Sequence, residues 1–288
     1  MDLYFKRYFI AFFVLFSFSL GPNVGYASLL WKMEKNGLEN FLLGTIHLSD
    51  QNILNLPHHV KLVVEGTDAL VIEVIVDSIT QDQIEDRMFM RSGTLKQQIG
   101  EILYSRLIEI LSEKGYLGSI IIDIKPWAAA ILVSAPPSTN APVLDVHLQQ
   151  LFNRSNRRVY ALESLNEQLD VFDSMSSRDQ LTFLRLSLEN ANTIKHQLED
   201  LKSLYLKNDL DAIFNYSMED WQGTACYDTG NIFSTIITQR NELMFSRLAT
   251  HLQAGNRLIA VGALHLPGES GLLNMLRQSG YELTPVMP

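Results

Sequence analysis

The sequence is short of cysteine, with Cys226 alone in 288 residues. A lone cysteine forms no internal disulfide, so the fold must be held by packing. No histidine lies near Cys226 in sequence and no basic cluster adjoins it, so it reads as a semi-buried bystander and not a nucleophile. Positive charge is scarce too: 23 Lys and Arg against 32 Asp and Glu give a net charge of −9, a surface unsuited to nucleic acid. Several common motifs are missing, among them the G-x-x-x-x-G-K phosphate loop, G-x-G-x-x-G, H-E-x-x-H and the G-x-S-x-G nucleophile elbow.

The N-terminus has the order of a secretory leader. Lys6 and Arg7 give a basic start, Tyr8 to Leu20 is an uncharged run too short for a confident span, and Gly25-Tyr26-Ala27 supplies small residues. This predicts a signal peptide over residues 1–27, cleavage after Ala27, and an exported protein, periplasmic or secreted, beginning at Ser28. The alternative is an uncleaved N-terminus acting as a membrane anchor. No cysteine follows the run to carry a lipid, and after cleavage no stable membrane insertion is expected. The exported chain keeps a net charge of about −10. Residues 28–288 suffice for a substantial core and read as a single domain. Oligomeric state is left open.

What the sequence does contain is G-x-x-H twice, at Gly44-Thr45-Ile46-His47 and Gly262-Ala263-Leu264-His265. Each closes a short apolar run, Phe41-Leu42-Leu43 or Leu258-Ile259-Ala260-Val261, that reads as a buried strand. A glycine just beyond lets backbone or ligand approach where a Cβ would obstruct it. The surroundings agree. A helical stretch through Pro57 to Glu65 and a strand from Ala69 to Val76 follow His47. A helix from Gly271 to Gln278 and a strand from Tyr281 to Val286 follow His265. Both halves read strand, G-x-x-H, helix, strand, the pattern of parallel crossovers. If the two motif strands are neighbours, both imidazoles face one crevice at the strands' carboxyl ends, where open α/β sheets place ligands. Both histidines are then expected to be crevice-facing, so that replacing either removes activity with little change in stability.

Other residues could join them. Glu73 is a lone carboxylate in the apolar run Leu70–Val76, costly to bury without partners. Arg240, one helix before the second motif, could clamp a carboxylate or a developing oxyanion. Asp145 and His147 open a helix; Asp145 could serve the site or balance the helix dipole. Arg157 to Glu163 reads as a strand ending in a carboxylate. Asn36-Gly37 signals a hairpin. A helical pattern runs from Gln81 to Tyr116, with Ile99, Ile102, Leu103, Ile110 and Leu111 as core contacts. Lys125-Pro126-Trp127 opens a helix through Val133, and Pro136 to Asn140 is a loop. Residues 178–220 form an inserted helical lid or an outer helical layer, and Ile232 to Leu252 one helix. The fold class is α/β (α+β), with a mixed, mainly parallel sheet and helical layers.

These segments resemble the TraB/PrgY/GumN family, which includes the TIKI metalloproteases. The resemblance covers nearly the whole exported chain and rests on Leu42–His47, Glu73, Lys125-Pro126-Trp127, Leu144-Asp145, Leu162-Glu163-Ser164 with Gln168, Arg240-Asn241 and Val261–Gly268 running on to Gly280-Tyr281. It implies a fold like that of erythromycin esterases and a haem-binding lipoprotein family. It also implies a site of two G-x-x-H histidines and a glutamate, similar in the TIKI branch to a divalent-metal protease centre favouring manganese or cobalt. Three functions follow. In one, His47, Glu73 and His265 hold a divalent metal (Mn, Co or Zn) whose water attacks a peptide bond, with Asp145 or Glu163 as proton shuttle. In another, the same groups activate water for ester hydrolysis without metal. In the third, the protein binds a peptide or haem-like ligand without turnover. The partner expected is a peptide or small-molecule substrate.

Overall fold

In a computed structural model, which describes residues 28–77, 84, 86–116, 118–136, 141–222 and 230–288, Asn36 and Gly37 take φ values of 53° and 76°. This positive pair is what a two-residue hairpin turn requires. It joins β1 (Leu30–Lys35) to β2 (Leu38–Thr45) in antiparallel register. The expected leader, residues 137–140 of the expected loop and Cys226 lie outside the described residues. No helix among the described residues is long and apolar enough to cross a membrane.

From β2 the chain passes through α1 (Gln51–Leu54) and α2 (His58–Gly66) to β3 (Ala69–Ile72). There follow α3 (Leu95–Glu113), α4 (Pro126–Ser134), α5 (Leu144–Arg154), β4 (Arg158–Ala161), α6 (Leu165–Asp173) and α7 (Ser177–Asn190). The last elements are α8 (Ile194–Leu206), α9 (Leu210–Gln222), α10 (Gln239–Ala254), β5 (Arg257–Gly262), α11 (Leu272–Gln278) and β6 (Glu282–Pro285). The strands form one sheet in the order β4-β3-β5-β2-β1-β6. β4, β3, β5 and β2 pair in parallel, and β1 runs antiparallel to both of its neighbours. This is the mixed, mainly parallel α/β sheet expected.

The two motif strands are adjacent, with Gly44 opposite Val261 and Thr45 opposite Gly262. The repeat does not, however, build two side-by-side crossovers. β5 inserts between β2 and β3, and β6 lies beyond β1 at the far edge of the sheet. β3 ends at Ile72, short of the expected Val76, so Glu73 stands just past a carboxyl end. Pairing of β3 with β4 continues by backbone bonds from Leu162 N to Ile72 O and Glu163 N to Glu73 O, both 2.8 Å. Those two bonds bring the carboxylates of Glu73 and Glu163 to the same end of the sheet.

Helices cover the sheet and form a layer beside it. α5 packs on β3 and β4, and α10 on β2 and β5. α4 begins with Pro126 in its first turn and is buried from Trp127 to Val133, which matches a helix apolar on every side. It packs against α3 and α7, and the Trp127 ring stacks on Phe172 with centroids 5.3 Å apart. In α3 the expected core set divides: Ile110 and Leu111 are buried, but Ile102 is 86% exposed. Ile102, Ile110 and Leu111 all follow the break at Gly100, and at 3.6 residues per turn Ile102 stands on the side of the helix opposite Leu111, away from the packed face.

The 178–220 region also divides. α7 belongs to the layer with α3 and α4, whereas α8 and α9 reach the motif loops. Tyr205 on α8 donates to Gly44 O at 2.9 Å, and Lys202 pairs with Asp50 at 3.1 Å. Phe214 on α9 packs against Gly268. The single helix expected over Ile232 to Leu252 is broken by a π-helical turn, Ser234–Thr238, immediately before α10. Such turns frequently mark functional positions.

Candidate active site

The carboxyl ends of β2, β3 and β5 meet where a Cβ would be tightly crowded. One built on Gly44 would lie 3.2 Å from Ala263 Cα, in the turn that carries the second motif. One on Gly262 would lie 3.3 Å from Glu73 Oε1 and 3.4 Å from His265 Cδ2. The first glycine therefore lets the two motifs pack against each other, and the second makes room for the glutamate. Glu73 is 4% exposed. Its Oε1 accepts the Gly262 N–H at 2.6 Å, and its Oε2 accepts from Arg240 Nη2 at 2.6 Å and Gln168 Nε2 at 3.2 Å. Burial works to raise this carboxyl, but the charge of Arg240, the two nearby histidines and the Gly262 N–H overcome it and lower it to about 2.

Arg240 is the hub of this arrangement and is 2% exposed. Its Nε donates to both oxygens of Glu163, at 3.0 and 3.2 Å. Nη1 donates to Ile236 O at 3.4 Å and to His265 Nε2 at 3.0 Å, and Nη2 to Glu73 and Glu163. Those bonds engage every N–H of a guanidinium. The expected role for Arg240, clamping a substrate carboxylate or an oxyanion, therefore finds no donor to spare in this arrangement.

His265 is not crevice-facing: it is 0% exposed. Asn241 Nδ2 donates to Ser270 O at 2.7 Å, so its Oδ1 faces His265 Nδ1 at 2.6 Å. Nδ1 must then be the protonated nitrogen and Nε2 the acceptor for Arg240. Burial, reinforced by the Arg240 charge, lowers this imidazole to about 3, so the ring is neutral at physiological pH.

His47 has a different setting. It is 7% exposed, with Nδ1 3.2 Å from Asp145 Oδ2. The other oxygen of Asp145 accepts from Thr45 Oγ1 at 2.7 Å. Burial raises the Asp145 carboxyl, opposed by His47. Asp145 sits in the first turn of α5, where an acid balances the helix dipole, and its side chain also reaches Thr45 and His47. His147 stays out of the cluster, half-buried near Arg154. The three residues after His47, Leu48, Ser49 and Asp50, line a cavity of about 180 Å³ together with Pro136 and the α8 residues Lys195, Leu198, Glu199 and Lys202.

The types of His47, Glu73 and His265 suit a divalent ion, and the deprotonated states of Glu73 and His265 suit it as well. Their arrangement does not. The Nε2 lone pair of His265 points at Arg240 Nη1, and Glu73 is bonded by Arg240, Gly262 and Gln168. Among the described residues, no group of three or more His, Cys, Asp and Glu side chains is placed to hold a metal ion. The three side chains expected to form a tripod do lie near one another, with His265 Nε2 4.0 Å from Glu73 Oε1 and His47 close enough to act on the charge of both, but Arg240 stands between Glu73 and His265. Thr45, which anchors Asp145, and Tyr205 on α8 escaped the sequence reading, although Thr45 lies inside the first motif. Asn241 and Gln168 stood out only as parts of the resemblance, with no role attached.

A model of the TraB/PrgY/gumN family matches residues 29–285. Escherichia coli (strain K12) YbaP, described as an uncharacterized protein, is 24% identical over 249 residues, covering 82% of this chain and 87% of its own. Metalloprotease TIKI2 of Danio rerio is 28% identical over 174 residues, covering 52% of this chain and 34% of its own. A metalloprotease TIKI homolog of Amphimedon queenslandica is 22% identical over 322 residues, covering 93% and 63%.

Proposed function

The chain belongs to the TraB/PrgY/gumN family, and we propose that it is an exported hydrolase of peptide bonds in which His47, oriented by Asp145, activates the attacking water. The observation that carries this reading is the Thr45–Asp145–His47 chain of contacts, 2.7 and 3.2 Å long, at the carboxyl end of β2. A carboxylate 3.2 Å from Nδ1 favours a proton on that nitrogen, which would direct basicity to Nε2. His47 would take a proton from water as its oxygen attacks the carbonyl carbon. It would return that proton to the leaving nitrogen as the tetrahedral intermediate collapses. We place the substrate in the cavity lined by Leu48–Asp50, which begins one residue beyond His47. Glu73, bonded on both oxygens and held at about 2, is too weak a base for the task. With Arg240, Glu163 and His265 it forms the floor on which the two motifs rest. The choice of a peptide leans on the relatives named metalloproteases.

Those names also favour a second reading, a peptidase that depends on manganese, cobalt or zinc. One assay separates the two: cleavage of unstructured peptides, with ester substrates alongside, by chelator-treated protein and by the same protein with each metal restored. Undiminished peptide cleavage in chelator supports the His47–Asp145 reading. Cleavage only with metal supports the second. Turnover of nothing under any condition would leave peptide or haem-like binding without catalysis.

A further inference from the structure

The Glu73–His265 half of the site has an occupant already. A divalent ion shared by these residues would lie about 2.0–2.2 Å from His265 Nε2 and a Glu73 oxygen. Arg240 places Nη1 3.0 Å from that nitrogen and Nη2 2.6 Å from Glu73 Oε2, so such an ion would press against a like charge. Nor can the guanidinium step aside by losing a proton, since arginine stays protonated in proteins. Leaving the site as a charge would strand Glu163, 2% exposed, which takes bonds from both Nε and Nη2. Breaking a buried ion pair in that way is strongly destabilising, because it leaves an uncompensated buried charge.

We propose that Arg240 is the resident cation of this site. Its guanidinium takes the place between Glu73 and His265 that the sequence pattern offers to a metal, and so reserves both residues from metal binding. Four contacts prepare the position. The π-helical turn Ser234–Thr238 supplies the Ile236 carbonyl. Glu163 and Glu73 supply two negative charges for one positive, and Asn241 turns the His265 ring so that its lone pair accepts from Arg240. Arg240 is here a positioning residue: it fixes the His265 tautomer and the Glu73 carboxylate without itself meeting substrate. The inference is independent of whether the protein hydrolyses anything.

The test uses chelator-stripped wild-type protein titrated with zinc chloride. Two quantities are read, zinc retained per chain after gel filtration and the long-range proton–nitrogen spectrum of the histidine rings. The His265 signals are assigned by their loss in His265→Gln. The expected result is a neutral His265 protonated on Nδ1, with ring signals that do not move as zinc is added, and zinc retention unchanged in Glu73→Gln. Retention at other sites, or none at all, is equally in keeping with the proposal. One equivalent of zinc that shifts His265 Nε2 and is lost in Glu73→Gln would overturn it. No turnover is measured, so failure here and failure of the hydrolase reading are separate outcomes.

Discussion

The two G-x-x-H segments share a pattern and a position at adjacent strand ends, yet their histidines live in different chemistry. His265 is sealed at 0% exposure with both ring nitrogens engaged, one by Asn241 and one by Arg240. His47 keeps 7% exposure, has a carboxylate at Nδ1, and is followed by residues that line a cavity. The pattern secures the backbone: each glycine admits a close neighbour, so two strand ends and a glutamate can converge. What each histidine then does is decided by the partner brought to it, a cation for one and an anion for the other.

Removing the cation should break that arrangement most severely. Arg240→Met leaves Glu73 and Glu163 buried without a counter-charge, and a loss of about 3–5 kcal/mol is expected, read as a lower urea midpoint or a failure to fold. His47→Gln comes next and acts on the other half. Activity per folded molecule should fall by about 10²–10⁴-fold, the usual contribution of a general base, and because the side chain is only 7% exposed a smaller fall in thermal melting should accompany it.

His265→Ala should reverse that split. It strands the Arg240 and Asn241 groups that face the ring, at about 1–3 kcal/mol, so stability falls first and activity follows the folded fraction. This differs from the equal, fold-neutral behaviour that the sequence suggests for both histidines. The same burial sets a pH response. Between the ordinary histidine value of 6.5 and about 3, the unfolded chain binds a proton at His265 that the folded chain refuses. Stability must therefore fall as pH drops through that window. Glu73 adds a loss in the same direction between 4.5 and about 2. Urea melts from neutral pH down to about pH 4 should show the decline, and His265→Gln should flatten the part above about pH 4.5. Smallest of all should be Thr45→Val, which removes one hydrogen bond to Asp145 and is expected to cost about 1.5 kcal/mol, or roughly tenfold in rate.

Much of this was legible in the residues themselves. Asn36-Gly37 gave the hairpin because few other pairs tolerate two positive φ values in succession. The apolar runs before Gly44 and Gly262 gave two buried strands, though not their adjacency, and a lone glutamate among β-branched residues marked Glu73 as a group that needs a partner if buried. The rest depends on contacts distant in the chain. Thr45 and Asp145 are 100 residues apart, and Arg240 and Glu73 are 167 apart. No periodicity reports which carboxylate an arginine will saturate. Ile102 lies about half a turn of the helix wheel from Leu111, so its apolar type alone placed it in the core, and the π turn before Arg240 has no residue signature comparable to Asn-Gly. β6 reads as a crossover partner of β5 from spacing alone, but the edge it pairs with is set by β1.

The measurement that bears most directly on the contrast between the two histidines is the peptide-cleavage rate per folded molecule of His47→Gln against that of His265→Gln, both in metal-free buffer. A fall of about 10²-fold or more is expected for His47→Gln, with the folded His265→Gln protein retaining more activity. A His47→Gln protein that cleaves at the wild-type rate, while folded His265→Gln is inactive, would contradict that expectation.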